Sequence, residues 1–245
     1  MIDFVELQKY EYADLLRIMQ ILRRPDGCPW DAVQTHASLR RNLLEEAYEV
    51  ADAIDTGDTA ALCEELGDLL LQVVFHAELE AEAGRFTMED VVDGIAKKLV
   101  YRHPHVFLPD SQSDGSAEAW ETLKRREKGQ QSTADAVDGV ARALPALWRG
   151  EKIQKKAAAF ATDSPWDKLT AAVTALQSAA TADERRTQLG ALLLAATALA
   201  GESGIDPEEA LHAACDAFAA DLRESERTVF NTGEPVLGEI HLKSR

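Results

Sequence analysis

Apolar residues recur at Leu39, Leu43, Ala47, Val50 and Ile54, and again at Leu62, Leu66, Leu69 and Val73. Steps of three and four are the period of a helix with one buried face, whereas a half-buried strand alternates every second residue. This period returns along most of the chain with no convincing strand pattern between. It predicts helices over about 3–23, 38–55, 59–83 and 87–102 in the first half, and over about 144–161, 167–180, 184–201 and 206–227 in the second. Pro145 suits a first helical turn, and Asp206-Pro207 is a helix start. The polar stretches 109–118 and 129–138 read as linkers around a short helix near Trp120–Lys128. The chain is expected to be all-α.

An internal repeat organises these helices. Trp30-Asp31 recurs as Trp166-Asp167, and ELGDLLLQ (65–72) recurs as QLGALLLA (188–195). ALWRGEKIQKKAAAF then takes the place of the first helix in the second copy. Two tandem bundles of about four helices each follow, over 1–108 and 144–245, with 109–143 as a linker carrying a short helix.

The acids of the first copy are placed against their own helices. Like charges one turn apart destabilise a helix by a few tenths of a kcal/mol, yet EEAYE (45–49) concentrates three. With Leu43 at zero and 100° per residue, Glu46 falls at about 300°, Glu49 at about 240° and Glu45 at about 200°. With Leu62 at zero, Glu65 falls at about 300° and Asp68 at about 240°. Folding the two helices antiparallel through Thr56-Gly57-Asp58, stripe against stripe, brings both flanks to one side. Both clusters then lie roughly 15 Å from the turn. Convergent carboxylates form either a solvated acidic face or an oxygen site for a hard cation such as Mg2+ or Mn2+.

Composition narrows the partners. The net charge of −17 over 245 residues repels polyphosphate backbones and argues against stable nucleic-acid binding. An anionic substrate would have to arrive with a cation. Cys28, Cys63 and Cys215 are scattered and suggest neither a disulfide framework nor a zinc site. The start, MIDFVELQKYEY, lacks a basic n-region and an apolar h-region, and LGALLLAATALAG (189–201) is too short to span a bilayer. A cytoplasmic protein without a membrane segment is expected.

The ordered set GCPWDAVQTH (27–36), EEAYE…ELGD (45–49 and 65–68), GDLLLQVVFHAELEAEAGRF (67–86), RHPHVF (102–107), WETLKRREK (120–128) and LPALWRGEKIQKKA (144–157) resembles the MazG family over nearly the whole chain. These are all-α nucleoside triphosphate pyrophosphohydrolases with an EExxE…ExxD signature. The resemblance implies two MazG-like bundles and Mg2+-dependent hydrolysis of NTPs or dNTPs, standard or damaged, to nucleoside monophosphate and pyrophosphate, in a homodimer that cleans the nucleotide pool. It implies Glu46, Glu49, Glu65 and Asp68 as metal ligands, with Mn2+ as a substitute ion, and Glu45 as a further ligand or the base that positions water. No GxxxxGK loop is present, so metal and basic side chains must carry the phosphates. Lys98 and Arg102, one turn apart, are the candidates. Trp30 reads either as a platform for a base or as a core plug.

The second copy departs from the signature. Aligning Leu169, Val173 and Leu176 with Leu43, Ala47 and Val50 sets Ala171, Ala172 and Ala175 against Glu45, Glu46 and Glu49. Gln188 replaces Glu65 and Ala191 replaces Asp68. One metal site per chain is expected, with the second bundle serving packing. His103 and His105 read as part of a turn around Pro104, and Phe75 and His76 as bundle interior. A narrower dUTP- or phosphoribosyl-ATP-type hydrolase and a nucleotide-sensing or partner-binding regulator with residual hydrolysis are the alternative functions.

Overall fold

The structure, a computed structural model, describes residues 4–108, 114–160 and 163–232. Among these there are α-helices, one short 3-10 turn and no strand, as the periodicity requires. The chain divides into two compact units, Met1–Trp120 and Glu121–Arg245. The division falls inside the segment read above as a linker.

The first unit runs α1 (Tyr12–Arg23), α2 (Pro29–Ala32), α3 (His36–Thr56), α4 (Thr59–Glu82), α5 (Met88–Arg102), α6 (Pro104–Phe107) and the start of α7 (Ala117–Glu127). Its backbone is the α3–α4 hairpin. Thr35 accepts the Ser38 N–H while Ser38 accepts the Thr35 N–H, a reciprocal cap that starts α3. Gly57 ends it at φ 69°, in the left-handed region that closes helices cheaply only at glycine. Asp58 then caps α4 by accepting the Ala60 and Ala61 N–H groups. Met19 of α1, Leu39 of α3 and Val74 and Phe75 of α4 form the buried core, with Leu15, Leu16, Leu71, Leu79 and Met88 around it.

Several sequence expectations are corrected. The first helix begins at Tyr12 instead of residue 3, because Glu11 and Asp14 cap one another's backbone there; residues 1–3 lie outside the described residues. Pro104 begins the four-residue helix α6 instead of a turn, and His103 bonds back to the Leu99 carbonyl at 2.7 Å. Of the two expected linkers, 109–113 lies outside the described residues. The other contains α8 (Thr133–Asp138), started by a Ser132–Asp135 capping box and seated through Ala136.

The second unit continues with α9 (Ala146–Ala157), α10 (Pro165–Ser178), α11 (Ala182–Glu202) and α12 (Pro207–Thr232), with a 3-10 turn over Ala158–Phe160. There α10 pairs with α11 and α9 lies on α11, the pairing that α3, α4 and α1 adopt in the first unit. A Cβ on Gly150 would meet Thr197 Oγ1 at 3.0 Å, so α9 approaches α11 closely only because a glycine stands there. Gln154 donates to the Leu194 carbonyl and to Thr197 Oγ1. Trp148 Nε1 donates to Asp206, which also accepts the Glu208 and Glu209 N–H groups at the start of α12. No single described helix is long and apolar enough to cross a membrane.

Two glycines of the hairpin respond oppositely to a methyl group. Gly57→Ala is expected to destabilise the protein by about 1 kcal/mol, since a Cβ is strained in left-handed backbone. Gly67→Ala, in the interior of α4 with open space around the added Cβ, is expected to stabilise it by about 0.5–1 kcal/mol. Urea unfolding of the two variants measures both signs.

Candidate active site

Helices α3 and α4 meet along a seam that is turned relative to the apolar stripes. The buried and half-buried positions of α3 are Leu39, Asn42, Leu43, Glu46, Val50 and Ala53, and those of α4 include Leu62, Glu65, Leu69, Gln72 and His76. Both sets centre about 50° from the stripe centres, on the side of the acids. Stripe does not face stripe as expected. Ile54 and Leu66 remain 59% and 50% exposed. The reason is width: each apolar face spans more of its helix than one partner helix can cover. The packing uses one flank of the face and leaves the other to solvent.

This rotation carries Glu46 and Glu65 into the seam and leaves Glu49 and Asp68 on its rim. Carboxylate oxygens of Glu46, Glu49 and Glu65 lie within 4.8 Å of one another. Burial raises the Glu46 pKa above the ordinary carboxylate value, helped by a hydrogen bond shared with Glu49 and by repulsion from Asp68, Glu49 and Glu65. Glu65 is raised likewise, by desolvation first and then by Glu49, Asp68 and Glu64. Asp68 therefore acts on both seam carboxylates although it is not within the tight trio. Among the described residues none of these four acids forms an ion pair. The donor set is all oxygen and all anionic, and it suits a hard divalent cation.

The remaining sequence candidates stand in different states. Glu45 is exposed and its carboxylate stands 3.6 Å from Arg41 on the same helix; it does not join the trio. Lys98 is half-buried on α5. Arg102, at the end of α5, holds its guanidinium 5.4 Å from the centre of the Trp120 ring. Trp30 is 57% exposed on α2, so it is no core plug. In the second unit Ala172, set against Glu46, is buried, and Gln188 is half-buried in the α10–α11 seam.

The seam also contains a polar residue that sequence reasoning passed over. Gln72 is 6% exposed and its Nε2 lies 3.5 Å from Glu46 Oε1. Seven residues after Glu65, it falls on the same side of α4, and that spacing was the available signal. Further along, the His36 and His76 rings stack with centroids 5.0 Å apart, and their Nδ1 atoms are 2.7 Å apart. His36 Nε2 donates to Glu80, which Arg85 also binds. Arg85, with His36 and against the opposing effect of burial, holds the Glu80 carboxyl down at about 2. Burial, and then His36, lowers the His76 pKa.

A sequence model of the MazG nucleotide pyrophosphohydrolase domain matches residues 34–107, the span that holds every acid of the seam. The nucleoside triphosphate pyrophosphohydrolase of Escherichia coli strain K12 is 41% identical over 240 residues, covering 91% of this chain and 90% of the relative. The chain belongs to the MazG family. The nucleoside triphosphate pyrophosphohydrolase/pyrophosphatase MazG of Thermotoga maritima is 37% identical over 228 residues, with 91% and 88% covered. A nucleoside triphosphate pyrophosphohydrolase of Mycolicibacterium smegmatis is 36% identical over 208 residues, with 80% of this chain and 63% of that protein covered. The MazG match begins just before the Thr35 cap and ends with α6, so the domain model and the α3–α4–α5 assembly coincide.

His76 is expected to make folding acid-sensitive. A His whose folded pKa lies below its free value stays neutral when the unfolded chain already binds a proton. Its contribution is full above the free imidazole value, about 6.5, and is lost as pH falls from there toward the folded pKa. The urea midpoint is therefore expected to drop between pH 7.5 and pH 5.5, and His76→Gln is expected to flatten that drop. An equal drop in the variant would remove His76 as its source.

Proposed function

We propose that this chain is a Mg2+-dependent nucleoside triphosphate pyrophosphohydrolase that converts NTPs or dNTPs to nucleoside monophosphate and pyrophosphate. Family membership supports hydrolysis of nucleotides. The observation that carries the metal-dependent reading is the trio Glu46, Glu49 and Glu65 within 4.8 Å, with Asp68 adding its charge and, among the described residues, no basic side chain paired with them. A protein gains nothing for stability from such a cluster, and a divalent cation relieves it.

Glu46, Glu49, Glu65 and Asp68 are assigned as the ligands. When bound, Mg2+ supplies charge neutralisation for the triphosphate and for the departing pyrophosphate. Glu45, adjacent to the ligands and tethered by Arg41, is assigned to hold the attacking water and accept its proton. The water oxygen bonds to the α-phosphorus, the α–β anhydride bond breaks, and pyrophosphate leaves. Lys98 and Arg102 are assigned to the outer phosphates, and the exposed ring of Trp30 to stacking on the base.

The uncovered flank of the hairpin supports a homodimer. Leu44 and Tyr48 of α3 and Leu66, Leu70 and Val73 of α4 are all exposed, between 36% and 51%. The occupant proposed for this strip is the same strip of a second copy, giving a homodimer. The second unit reads as a MazG-like copy that kept the helix pairing and lost the metal site. The net charge of −17 speaks against stable nucleic-acid binding, and nucleotide-pool cleaning in the cytoplasm is the proposed setting. The regulatory alternative, a nucleotide sensor with residual hydrolysis, rests on a second unit without the signature acids and on the basic residues of its helix α9.

Incubation with each NTP and dNTP plus Mg2+, resolving products, tests the reading. Nucleoside monophosphate with pyrophosphate is expected, and nucleoside diphosphate with phosphate would refute attack at the α-phosphorus. Saturable binding without turnover would favour the sensor. Glu46→Ala and Asp68→Ala are each expected to lower kcat by at least about a hundredfold, the upper end of what removing even a ligand's supporting partner costs. Substitution at Ala171 or Ala191 of the second unit is expected to leave kcat unchanged.

A further inference from the structure

We infer that Gln72 is a positioning residue of the metal centre: it orients Glu46 through its amide N–H and offers its amide oxygen to a water in the shell of the bound cation. This rests on the metal-centre reading given above. The first observation is burial without satisfaction. Gln72 is 6% exposed, and its Oε1 has no hydrogen-bond partner among the described residues. A buried amide oxygen left unpaired costs about 1–3 kcal/mol, so an apolar residue would serve α3–α4 packing better.

The second observation is what the other half of the amide does. Its Nε2 stands 3.5 Å from Glu46 Oε1, a long bond that donates toward a ligand carboxylate. The opposite orientation would set the amide oxygen against that carboxylate, and two acceptors repel. Donation to Glu46 thus fixes the amide and leaves its buried oxygen as an acceptor that no described residue uses. A carbonyl-type acceptor beside a carboxylate trio matches the usual support of a Mg2+ shell, where several ligands are waters that need acceptors of their own.

The third observation comes from within the chain. The repeat that sets QLGALLLA against ELGDLLLQ places Ala195 opposite Gln72, and the alignment of α10 with α3 places Ala172 opposite Glu46. Both alanines are buried, at 6% and 8% exposed. Where the carboxylate is gone, the amide is gone with it, and the seam closes over small apolar side chains. A glutamine kept only to pair helices would have no reason to vanish together with the acid.

The test measures Mn2+ binding to the full-length protein by electron paramagnetic resonance without nucleotide, and thermal midpoints in EDTA. Gln72→Met keeps the volume, and Gln72→Ala copies a residue that the second unit accommodates. Both are expected to fold with midpoints in EDTA at or above that of the parent, and to bind Mn2+ about 10–100-fold more weakly, the range for partners of metal ligands. With NTP and Mg2+, kcat is expected to fall while KM for the nucleotide changes little. In a Glu46→Gln background, Gln72→Met is expected to weaken Mn2+ binding no further, because the two act through one contact. Parental Mn2+ affinity in a folded Gln72→Met variant overturns the inference, as does full additivity with Glu46→Gln. Parental affinity in Glu46→Gln itself overturns the metal-centre reading instead.

Discussion

The first unit depends on one conflict: two helices are pressed together along a line that contains Glu46 and Glu65. Hydrophobic burial holds the pair, through Leu39, Val74, Phe75 and Met19 at one end and the tight Gly57-Asp58 turn at the other. Between these anchors the seam carries acids whose pKa values are raised by desolvation and by one another. The anchors keep carboxylates at a separation that they would otherwise increase. Such preorganisation suits the proposed site for a small, highly charged ion.

The same seam continues as a ladder of polar groups. From the turn outward it passes Glu65, Glu46, Gln72, then His76 and His36, and ends at Glu80 with Arg85. Each level is satisfied differently. The far end is complete, since His36 donates to Glu80, Arg85 closes the carboxylate and His76 pairs with His36. The near end is incomplete by charge and by hydrogen bonding. The function proposed here draws on the unsatisfied end, while the satisfied end fixes where α3 begins relative to α4.

Much of this was legible in the residues, for physical reasons. The 3.6-residue period located the helices, and the hairpin geometry brought the acids of α3 and α4 to a common height. The rotation of the seam was not legible, because an apolar face wider than one contact does not say which of its flanks will pack. Helix α8 was hidden for a related reason: TADAVD reads as polar, and its formation depends on the Ser132–Asp135 cap and on burying Ala136. Trp30 could be read as plug or platform, since an indole suits both, and only its exposure separates the two. Gln72 was overlooked because glutamine on a helix is usually solvent-facing. The second unit acts as an internal control: its α10–α11 pairing persists without the acids, so the hairpin does not need them to form.

Arg23 has a further consequence. Its guanidinium binds Glu82 through two bonds of 2.7 Å, donates to the Asp31 carbonyl at 2.6 Å and covers the Phe75 ring at 5.2 Å, with only 6% of the side chain exposed. One side chain thus pins α2 to the ends of α1 and α4. The indole of Trp30, though open to water, projects from a footing clamped on three sides. Were a flat guest to settle on that ring as proposed, the backbone beneath it would already be held, and little configurational freedom of the host would be surrendered on contact.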